Sequence, residues 1–167
     1  MKKILLLVVV CCLTLTGCAT IPRLQAPVVR ESTYNVSYDK IWPHLVTIVT
    51  EGGNFVNVAD KGSGILTYTT VLNKEQLKEY VLQKPPAVPI GAYYNNGEAQ
   101  ITLRVRKVDE NSIVIKVSSK IKAQICNMFG TVVPPFQGVM LNSNGNLEKD
   151  TFKMVEAQAG LKQYKWM

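Results

Sequence analysis

The clearest pattern in this sequence is the alternation of apolar and polar side chains in two segments, residues 99–108 and 112–125. Successive side chains of a β-strand point to opposite faces, so this alternation predicts two strands that each bury one face. The residues between them, 109–112, are turn formers, and we expect them to join the strands as a hairpin. The hairpin is therefore predicted to have an apolar face in the core and a polar face in solvent.

A second pattern, with helical spacing, precedes this hairpin. Ile41, Leu45 and Ile48 recur at the interval of one helix face, with Val49 beside them. We predict a helix that begins near Asp39, with Ser37 or Asp39 as its cap, so that Pro43 falls at the end of the first turn. The pair Gly52-Gly53 is expected to end it.

The remaining segments complete an alternating order of strands and helices. A short strand is expected at residues 34–36, two more at 55–59 and 65–72, a short helix at 73–82 and a closing helix at 147–160. Asn73 and Gln76 have the spacing of a capping box. Two loops rich in proline and glycine, at residues 84–100 and 130–146, interrupt this order. The predicted fold class is α+β: a single domain in which an antiparallel sheet has its helices packed on one face, as in a helix-grip fold.

The N-terminus has the composition of a secretory signal. Lys2 and Lys3 precede an apolar run of roughly ten residues, which is about half of what a membrane-spanning helix needs. The run ends in Leu15-Thr16-Gly17-Cys18, which resembles the lipobox of bacterial lipoproteins. The resemblance implies that residues 1–17 are removed and that Cys18 carries a diacylglycerol and an N-acyl chain, which together anchor a protein stably. The alternatives are an ordinary signal peptide with a chance cysteine and a frayed hydrophobic helix.

The rest of the chain sets further limits. Residues 18–32, with Pro22 and Pro27, are expected to form a lipidated N-terminus and flexible tether. The mature chain of about 150 residues suits one domain, at 33–160, followed by a basic aromatic tail at 161–167. Ala19, where an aspartate would indicate retention at the inner membrane, favours the periplasmic face of the outer membrane. Cys126 is the one unmodified cysteine left, so we expect it to be buried and inert.

Charge and composition bear on the partner. The chain carries a net charge of +7, and loss of Lys2 and Lys3 leaves about +5. A basic protein can contact anionic lipid, glycans or acidic proteins. A secreted protein does not meet nucleic acid, so we expect no nucleic-acid partner.

Four segments suggest a family for the domain: VSYDKIW (36–42), GNFV (53–56), GSGIL (62–66) and NSNGNLE (142–148). They resemble the helix-grip domains of BamC, a lipoprotein component of the outer-membrane β-barrel assembly machine, over most of residues 33–160. The shared motifs are structural, so they imply a fold rather than an activity. BamC has two such domains and a long extended N-terminal segment, whereas this chain has room for one domain and a short tether.

Little in the sequence indicates catalysis. His44 is the only histidine, no hydrolase motif surrounds it, and we interpret it as a surface residue. The sequence predicts no catalytic residue, no metal site, no cofactor besides the lipid and no small-molecule substrate. The protein is therefore not expected to be an enzyme.

Two sets of residues are candidate binding sites. The solvent face of the hairpin is expected to bind an anionic partner through five cations: Arg104, Arg106, Lys116, Lys120 and Lys122. The alternative is an ordinary solvated face with edge-protecting lysines. Tyr93 and Tyr94, in the first proline-rich loop, are candidate protein contacts, although core packing would explain them equally well.

These observations lead to two functional hypotheses. The first is a membrane-anchored periplasmic lipoprotein that acts as a non-enzymatic accessory or scaffold and binds another envelope protein, in outer-membrane assembly if the analogy with BamC holds. The second is a binding module for anionic envelope lipid or cell-wall polymer that uses the basic face.

Overall fold

A long antiparallel hairpin forms the centre of the molecule. The structure is a computed structural model that describes residues 28–82, 91–127, 129–131 and 138–161. In chain order the elements of this part are β1 (Val29–Tyr34), α1 (Tyr38–Glu51), β2 (Phe55–Asp60), β3 (Ile65–Leu72), α2 (Lys74–Tyr80), β4 (Ala92–Lys107), β5 (Ile113–Asn127), β6 (Val139–Leu141) and α3 (Asn146–Ala159). Strands β4 and β5 are the hairpin.

The strands form one antiparallel sheet in the order β1-β5-β4-β3-β2, and the short β6 pairs with the remaining length of β5. All three helices contribute buried residues to a core on the same face of the sheet. The protein is therefore an α+β single domain, which confirms the predicted fold class.

The core consists of the residues that the alternation pattern selects. Ile101, Leu103 and Ile115 of the hairpin are buried, and so are Ile41 and Leu45 of α1. Burial of each such side chain contributes about 1.5–3 kcal/mol to stability. The sheet face that carries these residues, covered by helices, is called the inner face below, and the opposite face is called the outer face.

Helix α1 begins one residue earlier than predicted, with Ser37 at its N-cap position. Ser37 is thus the N-cap residue, as one of the two predicted candidates, but its side chain makes no capping hydrogen bond. Pro43 lies in the second turn, inside the helix rather than at the end of the first turn. The burial of Ile41 and Leu45 stabilises the helix despite the backbone hydrogen bond that proline cannot make.

Three predicted helix boundaries are confirmed, two by the backbone angles of glycines and one by a capping box. Gly53 has a φ of 70° just beyond α1, and Gly160 has a φ of 63° at the end of α3. At α2, Asn73 and Gln76 form both hydrogen bonds of the capping box, each 2.9 Å long. Helix α2 ends at Tyr80, because Val81 leaves it to form a bridge with Ser143.

Three segments predicted as loop or tether belong to the sheet. Strand β1 begins at Val29, inside the segment 18–32 that was predicted to be a tether. Strand β4 begins at Ala92, so Tyr93 and Tyr94 lie in a strand and not in the proline-rich loop. Strand β6 lies inside the predicted loop 130–146. All three departures have the same cause, because pairing with β5 supplies backbone hydrogen bonds that composition alone does not reveal.

Several expectations lie outside the described residues. These are the signal peptide, Cys18, the proline-rich parts of both loops and all of the tail except Leu161, which packs against the core. Within the described part, no helix is long and apolar enough to cross a bilayer.

Candidate functional site

The outer face of the sheet brings the five predicted cations together. They project from alternate positions of β4 and β5 and are exposed, and no helix of the described part covers them. Arg104 lies directly opposite Lys116 in the register of the hairpin, with Lys120 opposite Gln100 and Arg106 opposite Val114. The alternation pattern thus located these side chains correctly.

Acidic side chains interrupt this cationic surface. The Lys116 ammonium lies 2.8 Å from Oε2 of Glu31 in the adjacent strand β1. Glu98 lies opposite Lys122 in the hairpin register. The outer face therefore carries charges of both signs, and part of the positive charge is offset where the cations are densest.

Apolar side chains occupy the other side of the outer face, on β2 and β3. Phe55 is 69% exposed and Val71 is 61% exposed. Next to these groups, hydrogen bonds join polar side chains of neighbouring strands: Thr67 and Thr102 share a hydrogen bond of 3.2 Å, and Asn57 Nδ2 donates to Thr69 Oγ1 at 2.8 Å. The outer face thus combines exposed apolar groups with a fixed polar surface.

A small cavity of about 260 Å³ lies where β4 bends at a bulge between Tyr94 and Gly97. Val71, Glu98 and Lys122 line it, together with backbone of the bulge. A Cβ at Gly97 would lie 2.7 Å from Leu77 Cδ2 and 2.9 Å from the Lys122 carbonyl oxygen, so glycine lets β4 approach α2 closely here. The cavity adds a shallow recess to the outer face, and its lining includes apolar, polar and charged side chains.

The two candidate tyrosines are both partly held by the fold. The Lys74 ammonium lies 4.9 Å from the centroid of the Tyr93 ring, within the range of a cation–π interaction. Tyr94 packs against the core, and burial raises the pKa of its phenol. Each ring is half-buried, so neither is fully presented to a partner.

The candidate chemical groups lie elsewhere in the fold. His44 is exposed on α1, as expected of a surface histidine. Cys126 is buried, with 1% of its surface exposed, which confirms the expected burial. Among the described residues, no group of three His, Cys, Asp or Glu side chains is arranged to hold a metal ion.

One buried polar cluster escaped the sequence analysis. Glu148 of α3 is fully buried and accepts hydrogen bonds from Ser119 Oγ at 2.6 Å and from Ser143 Oγ at 2.8 Å. The sequence does contain a signal for this cluster, because a polar residue interrupts the apolar pattern in β5 and another interrupts it in α3. Ser119 takes an inward position in the alternation of β5, and Glu148 shares a helix face with Thr151 and Val155.

Solved structures that are similar to this chain include one distant match from a bacterium. The chain is similar to the crystal structure of a TBP-like protein from Parabacteroides distasonis ATCC 8503, at 12% identity, with a TM-score of 0.40. The match covers 82% of this chain and 97% of that chain. No protein-family model matches the sequence, and no curated protein does.

Proposed function

We propose that this protein is a non-enzymatic lipoprotein of the bacterial cell envelope that binds another envelope protein through the outer face of its sheet. In this proposal Cys18 carries the lipid, and the domain faces the periplasm from the outer membrane. By analogy with BamC, the process that it assists is the assembly of outer-membrane proteins.

The composition of the outer face carries the proposal. A sheet face that no helix of the described residues covers, and that sets exposed apolar side chains beside fixed polar ones, has the mixture found in protein–protein interfaces. Phe55 and Val71 are the largest exposed apolar contributions from β2 and β3. A partner that covers both would bury apolar area, and its acidic groups would meet Arg104 and Lys120.

The same face is less suited to a polyanion. A lipid surface or an anionic polymer attracts a protein through the sum of its unpaired cations. Here Glu31 binds Lys116 and Glu98 faces Lys122, so the attraction is reduced at two of five positions. We therefore favour a protein partner over the anionic lipid or cell-wall polymer of the second hypothesis.

The proposed absence of catalysis rests on the position of the one histidine. His44 lies on exposed helix surface, on the side of the sheet opposite the outer face. A general base has to reach its substrate within hydrogen-bond distance, in a site that limits access of water. His44→Ala should therefore leave the phenotype of a strain that depends on this protein unchanged.

The anchor is tested separately from the partner. Cys18→Ala should leave the precursor without covalent lipid, which mass spectrometry of the intact protein measures. A Cys18→Ala protein that still carries a covalent lipid would overturn the proposed anchor.

The partner is tested by chemical cross-linking of the intact lipidated protein in cells, followed by mass spectrometry. We expect one dominant envelope protein. Its recovery should fall strongly for Val71→Asp, because a charge then replaces an exposed apolar group on the outer face. Thr47→Asp, an exposed change on α1, is the matched control and should have no effect. Recovery of only lipid or wall fragments, released by high salt, would refute the protein partner.

A further inference from the structure

The two edges of the sheet differ in how they are protected. Strand β1, at one edge, carries the charged residues Arg30 and Glu31. Strand β2, at the other edge, has the sequence FVNVAD, with no charge before Asp60. Natural sheets guard exposed edges with charged side chains, bulges or short edge strands, because an open edge invites another strand. The β2 edge is short and has a bulge at Asn57, but it lacks charged side chains over most of its length.

Strand β2 is also exposed on both of its faces. Phe55 and Val58 project from the outer face and are 69% and 46% exposed. Val56 projects from the inner face and is 36% exposed. A strand added beside β2 would cover apolar side chains on both faces at once.

The bulge in β2 gives its side chains a palindromic order. The pairing with β3 places Phe55, Val58 and Asp60 on the outer face and Val56 and Ala59 on the inner face. The extra residue, Asn57, also turns outward, where its side chain bonds Thr69. From Phe55 to Asp60 the faces read outer, inner, outer, outer, inner, outer, which is the same in both directions.

We propose that β2 pairs antiparallel with β2 of a second copy of this chain, so that two sheets become one. Residues opposite each other in an antiparallel ladder point to the same face. Full overlap of two β2 strands sets residue 55 against 60, 56 against 59 and 57 against 58. The palindromic order matches every one of these pairs face to face.

Charge is compatible with a second copy as the occupant. In every register that overlaps most of the two strands, Asp60 of one copy lies opposite a neutral residue of the other. The neighbouring Lys61 is held by Asp39, with 2.7 Å between Nζ and Oδ1. Like charges directly opposite each other would destabilise the pair. In these registers no like charges meet across the interface.

The symmetry of such a dimer suits the proposed anchoring. A two-fold axis that relates antiparallel strands of one sheet runs perpendicular to the sheet. Both outer faces then lie on the same side of the dimer, so a single membrane-associated complex contacts the outer faces of both copies. This last step rests on the proposed function, whereas the pairing of the two strands does not.

The experiment measures the oligomeric state of the full lipidated protein in detergent by analytical ultracentrifugation. The wild type should be a dimer. Val58→Lys should raise its dissociation constant roughly tenfold or more, because two ammonium groups then lie close to the axis. Val29→Lys, at an exposed valine in the opposite edge strand, is the control and should remain dimeric. A monomeric wild type, or a Val58→Lys protein that dimerises like the control, would overturn the proposal.

Cross-linking gives a second, position-specific measurement. Val58→Cys should form a covalent dimer with a short bis-maleimide, while Val29→Cys should not. The native thiols do not interfere, because Cys126 is buried and a lipidated Cys18 has no free thiol. Equal yields from both positions would refute pairing through β2. A separate membrane fractionation tests the anchor. If the wild-type protein is not attached to the membrane, the proposed anchor is refuted, but the proposed dimer is not.

Discussion

Oγ of Ser119 lies 2.6 Å from Oε1 of Glu148, and both side chains are buried. Ser143 donates to the other carboxyl oxygen at 2.8 Å and itself accepts a hydrogen bond from the Gly145 backbone N–H at 3.0 Å. The carboxyl group of Glu148 thus connects strand β5, the segment before α3 and the first turn of α3. Buried polar groups of this kind are costly to leave unpaired.

Glu148→Ala should therefore be among the most destabilising changes in the domain. It leaves two buried serine hydroxyls without their acceptor, at about 1–3 kcal/mol for each unsatisfied group. Glu148→Gln should cost less, because the amide keeps an acceptor for one serine and offers a donor to the other. Equilibrium denaturation measures both, with the exposed Lys149→Ala as control. A Glu148→Ala protein as stable as that control would contradict the structural role.

Because the phenol of Tyr68 is buried, we expect the folded protein to lose stability in alkali. Burial raises the pKa of this phenol to about 12, and a hydrogen bond with Thr151 opposes this shift. The unfolded value is about 10, so the folded state holds the proton more tightly. The resulting stabilisation is complete below pH 10 and is lost as the pH rises towards 12, an effect on the order of 2–3 kcal/mol.

Burial also raises the pKa of Tyr34. The Tyr68→Phe variant removes the contribution of Tyr68 and leaves that of Tyr34 in place. The variant should be less stable than the wild type near neutral pH, by about 1 kcal/mol for the lost hydrogen bond. Above pH 10 the difference should shrink and then reverse. Denaturation curves across this range measure it, and a constant difference would contradict the prediction.

The turn between β2 and β3 requires glycine at position 64, because it has no room for a Cβ there. The φ of Gly64 is 69°, and its carbonyl oxygen accepts a hydrogen bond of 2.8 Å from the Val105 N–H. A Cβ at this position would collide with the Val105 carbonyl oxygen. Gly64→Ala should therefore cost about 2 kcal/mol or more in the free energy of unfolding.

Gly53→Ala is the matched control for this steric effect. Gly53 has nearly the same φ, 70°, but no atom of the described residues lies within 4 Å of the place that its Cβ would take. Its substitution should cost only the strain of the left-handed backbone, about 1 kcal/mol. Equal losses in thermal or chemical denaturation would show that contact with Val105 is not the cause.

The mixed charge of the outer face predicts weak binding to anionic surfaces. Purified Cys18→Ala protein should show little association with vesicles of anionic lipid at physiological salt, because Glu31 and Glu98 offset part of the cationic surface. Arg104→Glu combined with Lys120→Glu should change this binding no more than Lys40→Glu on α1 does. Tight binding that falls steeply with salt and with the double reversal would support the lipid or polymer hypothesis instead.

The parts of the fold that sequence patterns predicted are those with strong local signals. The alternation around Ile101 and Ile115 located the hairpin and its two faces, and the capping box at Asn73 located the start of α2. Burial on one face imposes these patterns directly on the sequence.

The parts that sequence patterns did not predict depend on contacts distant along the chain. Val29 begins an edge strand whose charged residues are typical of a tether, and only pairing with β5 distinguishes the two. Likewise Ser119 and Glu148 each interrupt a local pattern, and each becomes explicable only when the other lies beside it. The outer-face cations were located correctly, but the contact of Lys116 with Glu31 depends on the same pairing of β1 with β5.

The most direct test of the central claim places a photo-cross-linking amino acid at Gln100, an exposed position of β4 on the outer face. The matched position is Thr47, exposed on α1 at the opposite side of the domain. Irradiation of cells that make the full lipidated protein should yield one discrete protein adduct from position 100 and none of that mass from position 47. No protein adduct from position 100, or the same adduct from both positions, would contradict a partner bound by the outer face.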